Sequence, residues 1–397
     1  MCKSVLRIAT KHSESWSERR QLSIRTPLRQ VCLPGLVCVF FYSTCYPQAY
    51  SQNLHTVFAD AVKAQTVVGA QIIEGSSDKP EAKSTHLGFT SPDRHTLVSN
   101  ETMFCIASCS KPLISCVIFK LLDTRQLDLN TPIDQWLPAY ANPKLVNGTP
   151  VPPPTLKQLL AHRAGIYSQK ANPTADQLRA IRDFRLTLSQ SVNLIANQPL
   201  QSPPGSQYAY SGAGYCLIGA IAEKITQQPI DELLHSQICE PLGMSTTTFF
   251  PNRRPGKVVA TGGVSRPKPP HLLGNQLQLP LVGGSIHTTA NDLQRFARMV
   301  ANGGTSNGVP IMDRATWSQY ISQPFRTQRY GYGWTRSMQG DELVLSHNGS
   351  LPPAQATLQI NLRTREYTIA LWTLANPGNS KTTSDLRSKI RQALNGQ

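Results

Sequence analysis

The chain has 397 residues, of which 40% are hydrophobic and 16% charged, enough apolar material for a large core and too much for wholesale disorder. No stretch of about 18 residues is free of polar side chains, which excludes a multi-span membrane protein. Lys and Arg number 39 against 23 Asp and Glu, a net charge of +16, but no run of basic residues accompanies it. The charge therefore indicates a basic surface suited to an anionic cell wall or membrane surface, and no specific nucleic-acid binding is expected.

The first 52 residues differ in composition from the rest of the chain. Seven basic and two acidic residues fall within 1–30, an apolar stretch occupies 31–47, and the small Ala49 follows. This order is typical of a secretory signal, so we predict a leader over 1–52 and an exported protein (periplasmic, in the cell envelope or secreted). An organelle transit sequence and a misassigned start are the alternatives.

Alternating patterns of apolar residues predict the first elements of the remaining domain, 53–397. A helix is expected at 54–64 and a β-branched strand at 66–75, with short strands at 85–89 and 96–99. The apolar run at 110–122 predicts a helix that can tolerate a proline in its first turn.

The middle of the chain reads as helices separated by loops, and strands return near the end. The expected loops are 130–157 and 251–280, the helices are 155–163, 174–197, 214–226, 288–304 and 384–395, and the late strands are 342–349, 356–362 and 367–375. We therefore predict an α+β fold in which early and late strands form one antiparallel sheet flanked by helices. A mainly helical insertion is expected at about 124–280.

Nine cysteines show neither a CxxC pair nor a zinc-type spacing with histidine. Four would leave with the leader, and three of the remaining five lie among apolar residues within twelve positions: Cys105, Cys109 and Cys116. Buried free thiols are the expected state, and no metal site is predicted.

The pattern S-x-x-K occurs at Ser76–Lys79 and at Ser108–Lys111. The first lies in a predicted polar turn, whereas the second lies between an apolar strand and an apolar helix. In a first helical turn, positions i and i+3 share a face, so the lysine can approach the serine hydroxyl. Burial disfavours the charged form of the lysine and makes it a candidate base, and the helix N-terminus favours negative charge beside Ser108.

Seven segments, in this order, resemble the serine β-lactamase and penicillin-binding protein superfamily, in the branch that groups class C β-lactamases with esterases and D-amino-acid peptidases. They are SCSK (108–111), TLKQLLAHRAGI (155–166), YAYSGAGY (208–215), PLGMSTTTF (241–249), GGSIHTTANDLQRFARMVANGG (283–304), YGYGW (330–334) and SHNG (346–349). The resemblance implies a β-lactamase-like fold with an active site between the sheet and the helical insertion.

The resemblance also assigns roles to single residues. Ser108 matches the acylated nucleophile, Lys111 its partner in proton transfer, and Tyr210 the tyrosine of the Y-x-N motif. The Asn of that motif falls on Gly212, so one amide that would orient substrate is missing.

The third motif of the family falls on His347, Asn348 and Gly349, where typical β-lactamases carry Lys-Thr-Gly. His347 is expected to hydrogen-bond Tyr210 or a substrate carboxylate. The backbone amides of Ser108 and of a residue near Leu351 would form the oxyanion hole.

Three further residues of the matching segments are expected to have structural roles only. They are His162, Tyr332 and Trp334.

The implied activity is hydrolysis of an amide or ester through an acyl-Ser108 intermediate, without a metal or organic cofactor. A D-amino-acid peptide, a β-lactam and a small ester are the candidate substrates. Because Gly212 and His347 replace Asn and Lys, esterase or peptidase activity is expected at least as much as β-lactamase activity. The alternative is a catalytically silent relative that binds cell-wall peptide or a protein partner.

Overall fold

The computed structural model describes residues 53–124, 127–254, 256–265 and 268–395. The strands are β1 (Val67–Ser76), β2 (Ala82–Gly88), β3 (Phe104–Cys105), β4 (His287–Thr288), β5 (Thr305–Ser306), β6 (Val309–Pro310), β7 (Thr335–Gln339), β8 (Glu342–Leu351), β9 (Ala354–Asn361) and β10 (Glu366–Leu374). The helices before the middle of the chain are α1 (Leu54–Lys63), α2 (Ser110–Asp123), α3 (Leu156–Leu160), α4 (Ala175–Arg182) and α5 (Leu188–Ala196). The later helices are α6 (Gly212–Thr226), α7 (Ile230–Leu234), α8 (Glu240–Leu242), α9 (Ala290–Ala301), α10 (Arg314–Tyr320) and α11 (Ser380–Asn395).

Six strands form the main sheet in the order β2-β1-β10-β9-β8-β7, with antiparallel neighbours throughout. The early strand β1 pairs with the late strand β10 from Val67 opposite Leu374 to Ser76 opposite Glu366. The predicted joining of both chain ends into one antiparallel sheet is therefore confirmed. The α+β fold class is confirmed with it.

Two cores lie on the two faces of this sheet. On one face α1 and α11 cover β1 and β10, and Phe58 packs edge-on against Trp372 with 5.2 Å between ring centroids. Burial of each such aromatic side chain stabilises the fold by roughly 1.5–3 kcal/mol. On the other face lie α2, α9 and the helices of the middle region, in a larger core that contains Phe119, Phe296 and Trp334. The predicted packing role of Trp334 is confirmed, because it is fully buried against Phe296 and Tyr320.

Two predicted elements are wrong. The single helix expected at 174–197 is two helices, α4 and α5, because Thr187 begins a new capping box with Gln190 and starts a fresh first turn. The strand expected at 96–99 is absent; Leu97 makes only an isolated bridge with Phe89 and is 67% exposed, so no sheet neighbour covers it.

The thiols agree with their prediction. Cys105, Cys109 and Cys116 are free and buried, as are Cys216 and Cys239. Burial raises the pKa of the Cys105 thiol to about 12, so it remains protonated near neutral pH.

The predicted leader, 1–52, lies outside the described residues, and export stays a prediction. Within the described ranges no helix combines the length and the apolar character needed to cross a bilayer.

Candidate active site

Ser108 lies in a short turn between the end of β3 and the start of α2. This 3-10 turn spans Ala107–Cys109, and Ala107 has a φ of 47°. A non-glycine residue in this left-handed region costs about 1–3 kcal/mol, so surrounding contacts must hold the turn. Ser110 provides two of them, since its hydroxyl donates to the Ala107 carbonyl oxygen at 2.6 Å and accepts from the Ile286 amide at 3.2 Å. Ser110 thus anchors residues 107–109. This segment is called the nucleophile turn below, after the role that the sequence predicts for Ser108.

Strand β8 packs directly against this turn. A Cβ atom on Gly349 would lie 2.2 Å from the Ile106 carbonyl oxygen, so only glycine permits the approach. In the same contact the Cys109 thiol donates a hydrogen bond to the His347 carbonyl oxygen, with 3.1 Å between sulfur and oxygen. The nucleophile turn and the third motif are therefore held as one unit.

Lys111 is buried, and no carboxylate among the described residues pairs with it. Its side chain is 1% exposed, and Nζ donates to the Gly283 carbonyl oxygen at 2.7 Å. The ammonium lies 4.7 Å from the ring centroid of Tyr210 and 5.1 Å from that of Tyr215. None of the ion pairs among the described residues includes Lys111. Burial lowers the pKa of Lys111 to about 7, and the nearby positive charge of Lys170 acts in the same direction. At neutral pH a large fraction of the side chain is the free amine.

A loop after α3 fixes the backbone that carries Tyr210. Three consecutive loop residues each hydrogen-bond one of three consecutive residues of the tyrosine segment. The pairs are the Ser211 hydroxyl with the Tyr167 carbonyl at 2.7 Å, the Ser168 hydroxyl with the Tyr210 carbonyl at 2.6 Å, and the Gly212 amide with Gln169 Oε1 at 2.8 Å. The loop therefore sets the position of Tyr210 relative to the nucleophile turn.

Tyr210 lines the same cavity wall as Ser108. Burial raises the pKa of Tyr210 above its usual range, and the hydrogen bond with Ser108 opposes this only in part. Lys111 and Lys170 lie near its ring, at 4.7 and 4.4 Å from the centroid. Tyr210 is consequently a phenol in the resting site, and Lys111 is the group whose pKa lies near neutrality.

His162 packs behind Tyr210. Its Nδ1 accepts the Ser211 amide proton at 3.1 Å, and its ring centroid is 4.4 Å from that of Tyr210. Burial, followed by the charge of Lys111, lowers the pKa of His162 well below its usual range. These contacts agree with the structural role expected for this histidine.

The sequence predicts a hydrogen bond between His347 and Tyr210. In the structure His347 instead hydrogen-bonds Tyr330. Its Nδ1 lies 2.9 Å from the Asn348 carbonyl oxygen, which can only accept, so Nδ1 carries the proton. Nε2 then accepts from the Tyr330 hydroxyl at 3.1 Å. Burial lowers the pKa of His347 to about 3, aided by the charge of Lys111, so the ring is neutral. A cationic contact to a substrate carboxylate is therefore not available from His347.

A cavity of about 480 Å³ lies between the nucleophile turn, α6 and β8. The structure brings six of the seven predicted site residues to its wall, namely Ser108, Lys111, Tyr210, Gly212, His347 and Asn348. Gly349, the seventh, lies behind the wall against Ile106.

Several residues of the cavity wall were not identified from the sequence, among them Gln169, Lys170, Tyr330 and Arg387. Tyr330 lies in the matching segment YGYGW, in which the sequence assigns roles only to Tyr332 and Trp334. Gln169 and Lys170 lie three and four residues after the end of the matching segment at 155–166. Arg387 comes from α11, on which no motif lies, so only the tertiary structure reveals it.

The described residues contain no group of three or more His, Cys, Asp or Glu side chains that could hold a metal ion. The chemistry available to the cavity is that of a serine hydroxyl, an amine of lowered pKa and a phenol.

Comparison with known proteins gives similar sequences with named hydrolytic activities. The chain is 27% identical over 240 residues to esterase EstB of Burkholderia gladioli, covering 58% of this chain and 59% of the esterase. It is 26% identical over 259 residues to the D-alanyl-D-alanine-carboxypeptidase/endopeptidase AmpH of Escherichia coli strain K12, covering 62% of this chain and 64% of AmpH. The chain thus spans less than two thirds of the length of these relatives.

Solved structures share the fold at lower identity. EstCE1, a hydrolase with promiscuous acyltransferase activity, superimposes with a TM-score of 0.69 at 19% identity, over 85% of this chain and 97% of its own. The D-amino acid amidase of Ochrobactrum anthropi gives a TM-score of 0.64 at 21% identity, over 86% and 97%. The sequence model of the beta-lactamase family matches residues 54–394, which is most of the chain. The chain belongs to the beta-lactamase family.

Proposed function

We propose that the protein is a serine hydrolase that cleaves an amide or ester through an acyl-Ser108 intermediate. The observation that carries the proposal is the buried Lys111, which forms no ion pair within the described residues and lies in the same cavity wall as Ser108 and Tyr210. A serine hydroxyl is a weak nucleophile unless a neighbouring base takes its proton. An amine with a pKa of about 7 is such a base near neutral pH.

In the proposed first step Ser108 Oγ attacks the carbonyl carbon of the substrate. Its proton passes to the free amine of Lys111, and the Tyr210 hydroxyl is the proposed relay, since Tyr210 lines the same cavity wall as Ser108 and its ring lies against the Lys111 ammonium. The proton then moves to the departing oxygen or nitrogen, which leaves as an alcohol or amine. Water attacks the acyl-Ser108 ester in the second step, and the same groups act in reverse order.

Two backbone features support this chemistry. The cavity wall contains Ser108 on one side and Ser350 with Leu351 on another, so backbone amides from both segments are candidates for the oxyanion hole. In addition, β7 pairs with β8 only as far as Ser346, while β9 pairs with β8 through Leu351. The edge of β8 beyond Ser346 can therefore hydrogen-bond an extended acyl chain in the manner of an added strand.

The substrate class follows from what is missing beside Tyr210. Gly212 has no side-chain amide, and Gln169 Oε1 is occupied by the Gly212 backbone amide. An ester, which has no amide N–H to satisfy, tolerates this arrangement better than an amide. We therefore place esters first and D-amino-acid peptides second, in line with the names of the esterase and carboxypeptidase relatives.

The proposal extends to location. The basic and apolar order of residues 1–52 supports export, and a peptide or ester substrate in the cell envelope agrees with it.

The test is covalent labelling combined with turnover. The purified full chain is treated with a fluorophosphonate probe, and the labelled peptide is identified by mass spectrometry. In parallel, para-nitrophenyl esters, D-alanyl dipeptides and a chromogenic cephalosporin are assayed. We expect one label per chain, on the peptide containing Ser108, and hydrolysis that is fastest for esters.

Two results would contradict the proposal. Absence of both labelling and hydrolysis would show that the site is not a serine hydrolase centre. Labelling at Ser108 without turnover of any substrate would instead support the silent peptide-binding alternative.

A further inference from the structure

The catalytic cavity is the middle one of three adjoining cavities. On one side it shares Lys170, Asn348, Ser350 and Arg387 with a cavity of about 460 Å³ between the sheet and α11. On the other side it shares Arg182 and Leu351 with a cavity of about 520 Å³ beside α4. Ser108 therefore lies near the middle of a groove with room on both sides.

The groove is lined mainly by positive charge, which the acidic residues of the described ranges leave largely unpaired. Besides Lys111, seven basic side chains line its walls: Lys170, Arg179, Arg182, Arg185, Lys268, Arg387 and Arg391. Asp183 is the one acidic residue that lines these three cavities, and it pairs with Arg185 at 3.8 Å. Within the described ranges none of the other six basic residues takes part in an ion pair.

Two of these cations are partly withdrawn from water. Burial lowers the pKa of Arg182 and of Arg387 from the usual arginine range. Arg387 makes its contacts with neutral groups, donating to the Ser350 hydroxyl at 2.8 Å and to Gln355 Oε1 at 2.5 Å. A guanidinium in such surroundings gains most from an anionic partner, which the described residues do not supply.

The walls also contain acceptors and apolar surface suited to an extended chain. The α11 side carries Asn348 and Gln359 together with the indole of Trp372, whose Nε1 finds no acceptor among the described residues. The α4 side carries Leu178 and Phe184, so it can hold an apolar segment between the charges.

We propose that the substrate is an elongated chain with carboxylate groups on both sides of the scissile bond, such as an acidic peptide or its ester. The inference rests on the proposed hydrolase function and specifies the substrate of that site. Lys170, Arg387 and Arg391 receive the anion on the α11 side, and Arg179, Arg182 and Lys268 receive it on the α4 side.

The experiment uses two pairs of esters that differ only in charge. The acyl-side pair is para-nitrophenyl hydrogen adipate and its methyl ester, and the leaving-group pair is para-acetoxybenzoate and its methyl ester. Release of the phenol is followed in each case with the full chain. We expect kcat/KM to favour the anionic member of each pair by about five- to tenfold at low salt, because each carboxylate gains a charge-assisted contact. Added salt should reduce this preference.

Matched arginine variants assign the two sides of the groove. Arg391→Gln and Arg179→Gln each remove one exposed charge, and each should reduce the anionic-to-neutral ratio severalfold for a different ester pair. Arg391→Lys should retain most of the ratio. Arg363→Gln is the control, since it removes an exposed arginine that lines none of the three cavities and pairs with Asp341.

A ratio near one for either ester pair, or ratios unchanged in both groove variants, would overturn the inference while hydrolysis itself continued. Failure of the proposed function is distinguishable, because it would abolish phenol release from neutral and anionic esters alike, together with fluorophosphonate labelling.

Discussion

The two S-x-x-K segments carry the same pattern in opposite environments. Ser76 ends β1 and is 8% exposed, its hydroxyl accepts the Asp78 amide, and Lys79 lies in solvent. In the other segment the lysine is buried at 1% exposure and the serine lines an open cavity. Nucleophilic chemistry needs an accessible hydroxyl and a desolvated amine. The segment at 108–111 has both of these, and the segment at 76–79 has neither.

The largest expected effect separates the two serines. Ser108→Ala should abolish fluorophosphonate labelling and lower ester hydrolysis by about a thousandfold or more, because the covalent intermediate cannot form. Ser76→Ala is the matched control and should keep both. Labelling that persists in the Ser108→Ala protein, located by peptide mass spectrometry, would show that the wrong serine has been chosen.

The second largest expected effect is the difference in ester hydrolysis between variants of the two lysines, Lys111 and Lys79. Lys111→Met, which is close in shape and uncharged, should lower kcat/KM for esters by roughly a hundred- to a thousandfold through loss of the general base. Lys79→Met should leave it unchanged. The melting temperature of both variants is measured beside the kinetics, because removal of a buried charge changes stability and can even raise it. Full activity in a folded Lys111→Met protein would contradict its role.

The pH profile tests the environment of Lys111 directly. The amine form is required, so kcat/KM for a neutral ester should rise with pH and level off above about 7, the pKa of Lys111. Below that value the rate should fall about tenfold per pH unit. A profile still rising steeply at pH 9 would mean that the base is not a desolvated lysine.

Loss of activity through acid unfolding must be distinguished from the fall in kcat/KM below pH 7. Burial lowers the pKa of His287 to about 3 and that of His271 to about 4, so the unfolded chain binds more protons than the native one below about pH 6.5. The contribution of these two histidines to the free energy of unfolding is therefore fully present above about pH 6.5 and falls as the pH drops towards their native pKa values. Circular dichroism melts at each pH show whether the lost rate reflects unfolding.

The smallest expected effect is on the substrate preference set by Gly212 in the cavity wall beside Tyr210. Within the described ranges, the segment at 76–79 has no such cavity wall beside it. Gly212 has no positive φ, and a Cβ there would meet Gln169 at an ordinary 3.5 Å, so Gly212→Asn should fold. One oriented hydrogen bond is worth about 1 kcal/mol, so the amide-to-ester ratio of kcat/KM should rise severalfold. An unchanged ratio in a protein with the wild-type melting temperature would remove Gly212 from the specificity argument.

Local patterns predicted most regular elements. The helices α1, α2, α6 and α9 and the strands β1, β8, β9 and β10 lie close to their expected positions, since each has strong apolar periodicity or a capping signal. Thr289 caps α9 by accepting the Asp292 amide proton, and the Asp292 carboxylate accepts from the Thr246 and Thr247 hydroxyls, a contact between distant segments that no local rule contains. The sequence predicts one helix at 174–197 and not the break between α4 and α5, because both helices have the same spacing of apolar residues.

By itself the sequence determined the fold class, the buried thiols and the choice between the two S-x-x-K segments, because these depend on periodicity and on the polarity of near neighbours. Only the tertiary structure decided the hydrogen bond between His347 and Tyr330, the contact of Gln169 with Gly212, and the place of Arg387 at the cavity. Each of these joins segments far apart in the chain, and packing of the sheet, α6 and α11 sets their distances. The low pKa of Lys111 has the same origin, since desolvation depends on everything packed around the amine rather than on its neighbours in sequence.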